Sequence, residues 1–250
     1  SPAEDAPTAA RLLQHFGLHK RLIALHDHNE KKRGALLVER LQRGESLALV
    51  SEAGTPLISD PGYSLVAQCH QAGCRVLPLP GPCAAVAALS AAGLPTDRFV
   101  FEGFLPARSS ARRSQLQGLV RETRTLVFYE SPRRVMECLA DLQAVFGRER
   151  PAALAKELTK IHEAVISGTL ATLEQWLQAD SQRQQGEFVL MVAGAPALDK
   201  AASSEAEGQR LLALLIDELP LKKAAAVAAS FTGAGRNALY QYGLSLRQSE

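Results

Sequence analysis

The sequence predicts an α/β protein: two α/β domains followed by a small helical C-terminal domain. Three observations predict it. Through residues 1–97, short apolar runs alternate with apolar helical periodicities, the order expected of parallel strands joined by helices. From residue 98 to 196 several short strand-like runs follow one another with helices between, which suggests a mixed sheet. After a small, polar and charged linker at 197–208, residues 209–250 carry only helical patterns.

Composition narrows the function. A chain of 250 residues with 46% hydrophobic and 22% charged residues has room for two domains and a small third. The net charge of +2 does not by itself point to nucleic acid, so any such partner needs local clusters of charge. No apolar run approaches the ~20 residues of a membrane span. Cys69, Cys74, Cys83 and Cys138 form no CxxC pair, and no signal peptide precedes them, so they read as reduced thiols of a cytoplasmic protein.

Taken in order, residues 8–17 read as a helix with Thr8 as N-cap and Gly17 as stop. Arg21–Leu25 reads as a strand. In the segment after it, His26 and His28 flank Asp27, but no third and fourth ligand stands at useful spacing. A polar cleft-lining or helix-capping role is the better reading there than a metal site. A helix over 35–42 closes at Gly44, and Ser46–Val50 is the next strand.

That strand runs into SEAGTPLISDPG, Ser51 to Gly62, and then into a helix from Tyr63 to Ala72. Two prolines, two glycines, three hydroxyls and two acids make the stretch a shaped polar surface at a strand's carboxyl end, where open α/β sheets place ligands. It contains no GxGxxG or Walker pattern, so a conventional dinucleotide or nucleotide-phosphate loop is disfavoured. A second strand, CRVLPL, leads into PGPCAAVAALSAAG and sets Gly81, Pro82 and Cys83 beside the first loop.

LPTDRF (94–99) reads as the interdomain linker. The second unit then offers FVFEGF, a basic helix over 109–122, the buried strand Thr125–Glu130 and a helix over 133–146 with Ser131 as N-cap. ALAKEL, AVISGTL and EFVLMVAG are further strands, with the helix TLEQWLQA before the last.

Two clusters of positive charge stand out. Within 106–134, Arg108, Arg112, Arg113, Arg121, Arg124, Arg133 and Arg134 face only Glu122 and Glu130, a surplus of five. Guanidinium forks suit phosphate backbones. From Leu221 to Glu250, Lys222, Lys223, Arg236 and Arg247 face only Glu250, a surplus of three, on two helices joined by a Gly-containing turn. A solvated basic face of a docked bundle explains this tail as well as RNA contact does.

Five motifs in order now carry a resemblance: SEAGTPLISDPG, LPGPCAA, FYESPRR, AKELTK followed by HEA, and LPLKKAAAVAA…RNALYQY. Together they resemble the bacterial 16S rRNA (cytidine 2′-O)-methyltransferases of the tetrapyrrole-methylase superfamily, over essentially the whole chain. The resemblance implies a tetrapyrrole-methylase-like fold, S-adenosylmethionine (SAM) in a cleft between the two α/β domains, 16S rRNA of the small ribosomal subunit as substrate, and a homodimer. It also implies a first strand with a Gly-Asn-Leu loop before the AED segment, absent from this sequence, and Thr-Arg where Ala6 and Pro7 stand.

Carried across by motif, Gly54, Thr55 and Ile58 of the first loop and Cys83 and Ala84 of the second are expected beside SAM. Tyr129, Ala155, Glu187 and Phe188 are expected to line the cleft from the second domain. Arg108, Arg112, Arg113, Lys222, Lys223 and Arg236 are the expected RNA contacts. Methyl transfer from a sulfonium needs no metal, but the ribose hydroxyl gains from a base. Glu130 and Lys156 are favoured as catalytic cleft residues; Glu157, Asp60, His26 and His28 are the other candidate bases. Two alternatives stay open: methylation of a porphyrinoid carbon, and a non-catalytic RNA-binding protein.

Overall fold

The computed structural model describes residues 2–3, 6–26, 29–196 and 200–248. Pro2–Ala3 (β1) pairs in parallel with Ile23–Ala24 (β2) around the helix Ala6–His15 (α1). Three helices follow: Glu30–Gln42 (α2), Tyr63–Gln71 (α3) and Ala84–Ala91 (α4). Next come Phe99–Phe104 (β3), Ser109–Gly118 (α5), Thr125–Glu130 (β4), Val135–Phe146 (α6), Pro151–Lys156 (β5), Ala164–Thr169 (β6), Leu170–Gln178 (α7) and Phe188–Val192 (β7). The helices Lys200–Leu215 (α8), Leu221–Thr232 (α9) and Arg236–Gln248 (α10) end the chain.

β3 to β7 form one five-stranded sheet in the order β3-β4-β7-β5-β6. β3 and β4 run parallel and the remaining pairs antiparallel, which is the mixed sheet that closely spaced strands predict. The pleat sorts its residues by parity. Leu126, Phe128, Leu154 and Leu190 face Leu116 of α5, Leu139 and Leu142 of α6, and Leu173 and Leu177 of α7. Val127, Ala153, Ala155, Val189 and Met191 face Ala85, Ala88 and Leu89 of α4. The small α4 residues let this helix lie close on the sheet, so the sheet has one thick aliphatic layer and one thin alanine layer.

The first 97 residues depart from expectation. The strand read over 21–25 shrinks to two residues, Val50 alone of 46–50 makes an isolated bridge, and CRVLPL forms no ladder. Burial still alternates as in a strand: Cys74 and Val76 pack on the core of Leu25, Leu37, Leu65 and Cys69, while Leu77 and Leu79 are 64% and 84% exposed. A strand pattern secures one face, but a ladder also needs a partner backbone about 4.8 Å away. Among the described residues the strands near these segments are two residues long.

Smaller differences have local causes. α1 begins at Ala6, so Thr8 lies inside the helix and is not its cap; Gly17, at φ +65°, does end that stretch. α2 starts at Glu30, earlier than expected, after an Asn29 side chain whose Oδ1 accepts the His26 N–H at 3.1 Å. Asp27 and His28 lie outside the described residues. The expected linker is helical from Lys200, and 197–199 lie outside the described residues.

Contacts within the chain divide it into two units, Ser1–Ala193 and Gly194–Glu250. In the second, α8, α9 and α10 enclose Leu212, Leu221, Ala224, Ala225, Ala228 and Leu239. Close approach needs glycine at two points. A Cβ on Gly208 would stand 2.9 Å from Ala234 Cβ, and one on Gly243 would run into Leu221 Cδ1. Among the described residues no helix is long and apolar enough to cross a membrane.

Candidate active site

Loop 51–62 is folded by its own polar atoms. The Ser51 hydroxyl donates to the Gly54 carbonyl at 3.0 Å, and Gly54 takes φ +76°. Leu57 and Ser59 also hold left-handed φ values, +74° and +64°, which side-chain-bearing residues avoid at a cost of ~1–3 kcal/mol each unless the surroundings fix them. The surroundings do fix them. Gly62, at φ +135°, has no room for a Cβ, which would stand 2.8 Å from Leu49 Cδ2 and 2.9 Å from Leu57 Cδ1.

This loop meets the backbone of the second loop. Thr55 Oγ1 donates to the Pro82 carbonyl at 2.9 Å. A Cβ on Gly54 would stand 3.6 Å from that same carbonyl, and one on Gly81 would stand 3.5 Å from Thr55 Oγ1. Cys83, extended at φ −137°, then opens α4. On its other side the first loop reaches the second half of the unit, where a Cβ on Gly103 would stand 3.5 Å from Ser59 Oγ. Gly103 sits at φ +64° in the register shift between β3 and β4, a bulge that re-aims the strand end.

Tyr129 ties these pieces together. Its hydroxyl accepts the Ala85 N–H at 3.2 Å, which satisfies one of the orphan donors at the start of α4. Phe101 and Phe104 hold its ring edge-on at 4.9 Å and 5.7 Å. Burial raises the phenol's pKa, aided by nearby Cys83 and Asp60, while the Ala85 N–H opposes the rise. Burial likewise raises the Asp60 carboxyl, with the Ser51 hydroxyl opposing the rise. A half-buried phenol, a thiol and a carboxyl thus converge where the two loops, α4 and β4 meet.

Several expected residues belong elsewhere. Glu130 follows Tyr129, so the pleat turns it to the α6 face. Its carboxylate accepts the Ser131 N–H at 2.7 Å, lies 3.2 Å from Arg134, and leaves its side chain fully buried. Glu130 therefore caps the 131–134 turn, the role Ser131 was expected to fill. On this face burial, with Glu130 as a secondary influence, pushes the Cys138 thiol up to about 12. Lys156 pairs in register with Phe188, and both share the parity of Leu154 and Leu190, away from α4. Glu130, Lys156 and Phe188 thus lie on the face of the sheet opposite α4.

Ala155 and Val189 do face α4. Glu187 accepts Lys160 Nζ at 3.1 Å, and its N–H donates to Glu157 at 2.9 Å. Hydrogen bonds from Lys160 and from the Glu187 backbone hold the Glu157 carboxyl low, so Glu157 is a turn-fixing acid. Ile58 is 42% exposed on the loop and Ala84 opens α4 beside Cys83.

The arginine cluster is also reduced. Arg112 is 1% exposed; its Nε lies 2.6 Å from Asp141 and its Nη1 reaches the Pro106 and Ala107 carbonyls. Arg113 pairs with the other oxygen of Asp141, Arg124 with Glu122, and Arg134 with Glu130. Burial pushes the Asp141 carboxyl up, but hydrogen bonds from Arg113, Arg112 and Ser109 outweigh it and hold it low. Arg112 is thus corrected from RNA contact to core ion pair. The charge count over 106–134 missed this because Asp141 lies outside that window. Arg108, Arg121 and Arg133 stay exposed, with no ion pair among the described residues.

Comparisons with known proteins bear on this geometry. Residues 3–174 match the family model described as tetrapyrrole (corrin/porphyrin) methylases, and residues 202–247 match the RsmI C-terminal HTH domain. A Pseudomonas aeruginosa protein named ribosomal RNA small subunit methyltransferase I is 55% identical over 242 residues, covering 97% of this chain and 86% of its own. Proteins of that name from Haemophilus influenzae and Escherichia coli O157:H7 are 51% and 53% identical, again over 97% of this chain and over 86% and 84% of theirs.

Among solved structures, the methyltransferase CobJ superposes with a TM-score of 0.53 at 20% identity, covering 78% of this chain and 83% of its own. Diphthine synthase does so with 0.53 at 14%, covering 74% and 73%. The fold is shared at those identities. With a family model matched over more than half of its length and close relatives matched over nearly all of it, the chain belongs to the tetrapyrrole (corrin/porphyrin) methylases.

Proposed function

We propose that the chain transfers a methyl group from SAM to the ribose 2′-oxygen of a cytidine in 16S rRNA of the small ribosomal subunit, as a cytoplasmic homodimer. The observation that carries this reading is 51–55% identity, sustained over 97% of the chain, with proteins named for methylation of that RNA. The helix-turn-helix match over 202–247 favours an RNA over a porphyrinoid substrate.

The cleft suits the methyl donor. Gly54 and Gly81 let the two loops lie against each other, Ala84 and Ala85 keep the start of α4 low, and Ile58 adds an exposed apolar surface. Thr55 closes the loops on each other through Pro82, so the wall is fixed before any ligand arrives. SAM, when bound, supplies a methyl carbon already activated by its sulfonium.

The chain's own task is to align the ribose hydroxyl and take its proton. Among the acids weighed for this role, Glu130 and Glu157 are committed to backbone N–H groups and cations, whereas Asp60 belongs to the loop wall near Tyr129 and Cys83. Asp60 is accordingly assigned the proton of the 2′-hydroxyl, and Tyr129 is assigned to hold α4 and the loop in place. Transfer of a tritiated methyl group from SAM to small ribosomal subunits tests the reading. Label entering a porphyrinoid and not rRNA would overturn it, and absence of calorimetric heat with SAM would leave an RNA-binding module in its place.

A further inference from the structure

α9 presents two unlike faces. Leu221, Ala224, Ala225 and Ala228 are buried between α8 and α10. On the outer side Lys223, Val227 and Phe231 stand four residues apart, one above another along the helix. Val227 is 44% exposed and Phe231 is 81% exposed, the latter at the last turn before Gly233 ends the helix at φ +77°. Three residues past Gly233, exposed Arg236 opens α10.

Charge is segregated around this aromatic ring. Glu205, Glu207, Asp217 and Glu218 lie on α8 and the turn after it, whereas from Leu219 to Gln248 there is no acid at all. Lys222, Lys223 and Arg236 are exposed, and the ion pairs among the described residues include none of them. A buried phenylalanine would have served the bundle, yet this one is held out on the side of α9 that also carries Lys223, with Arg236 opening the next helix. An exposed aromatic ring in an acid-free, basic stretch of surface matches a nucleobase on a phosphate-linked strand. A duplex keeps its base faces stacked on each other, so the ring suits an unpaired base.

We infer that Phe231 is a stacking platform for an unpaired base of single-stranded RNA, with Lys223 and Arg236 holding phosphates of the same strand. The inference rests on the proposed rRNA substrate and names a residue and a mode of contact beyond it. It also separates two kinds of contribution: the cations give salt-dependent affinity for any RNA, and the ring gives a preference for unpaired strands.

The test uses the full chain with a fluorescently labelled single-stranded RNA of mixed sequence and a duplex of equal length. Phe231→Ala is expected to weaken single-strand binding roughly ten-fold or more, to leave duplex binding within two-fold, and to keep the slope of affinity against salt. Phe231→Trp is expected to restore single-strand binding, and Phe231→Leu is not. Lys223→Gln is expected to flatten the salt slope by roughly 0.7.

Unchanged single-strand affinity in Phe231→Ala, or full activity of Phe231→Leu, would overturn the stacking role. A change of oligomeric state or of melting temperature in Phe231→Ala would overturn it in favour of a protein contact. Methyl transfer to small subunits by the unaltered chain reports on the enzyme reading separately. Its failure alongside ring-dependent RNA binding would count against that reading and not against Phe231.

Discussion

The Tyr129 hydroxyl accepts the backbone N–H of Ala85 at 3.2 Å, and this bond joins the end of a strand in the mixed sheet to the first turn of α4. The two residues are 44 apart in sequence and come from the two halves of the α/β unit. Removing the acceptor strands a helix-terminal donor. Tyr129→Phe is expected to cost ~1 kcal/mol of stability and to weaken SAM binding several-fold through a looser Cys83–Ala85 turn. Calorimetric titration of SAM alongside thermal unfolding checks both. A variant with lowered melting temperature and unchanged SAM affinity would confine Tyr129 to a structural role.

Asp60→Asn is expected to lower the methyl-transfer rate by roughly 10²–10⁴ while SAM affinity stays near its original value, because the amide keeps the shape and cannot take a proton. In the unaltered chain, burial raises the Asp60 carboxyl, opposed by the Ser51 hydroxyl. The base works ionised, so the rate is expected to fall on the acid side at a pH above the ordinary carboxylate range of about 4. A pH–rate profile in which Asp60→Asn keeps that acid limb would exclude Asp60 as the base.

Asp141→Ala leaves the guanidinium of Arg112 buried with its main partner gone, and is expected to cost ~3–5 kcal/mol. Its folded-state pKa lies below the unfolded value, so the pair stabilises fully above about pH 4 and loses its contribution as pH falls through the lower, folded value. Urea midpoints compared at neutral and acid pH are expected to diverge for the unaltered chain and less so for Asp141→Asn. Arg112→Glu is expected to unfold the region, whereas Arg108→Glu with Arg133→Glu changes RNA affinity and leaves the melting temperature alone.

Gly62→Ala forces a Cβ against Leu49 and Leu57 at a φ of +135° that L-residues rarely adopt. A loss of ~1–3 kcal/mol in stability and weaker SAM binding are expected, since Leu57 must leave the left-handed conformation that Gly62 helps to fix. Crystal structures or hydrogen exchange across 51–62 would register the shift. Unaltered exchange in that loop would show that its shape is set elsewhere.

The order of apolar runs was enough to place β4 to β7 and the helices between them, and the loops at 51–62 and 81–83 announced themselves by their glycines, prolines and hydroxyls. Those features are local. Hydrophobic period and turn chemistry act over a few residues, so the chain writes them directly. What tertiary structure decided was which neighbour each polar group finds. Tyr129 and Glu130 are adjacent and equally polar in the sequence, yet the pleat sends one to α4 and the other to α6. Arg112 and Arg113 read alike as surface charge until Asp141, on another helix, takes the inner one into the core. Parity across a sheet and partners tens of residues away are long-range facts, fixed only when the strands register and the helices pack.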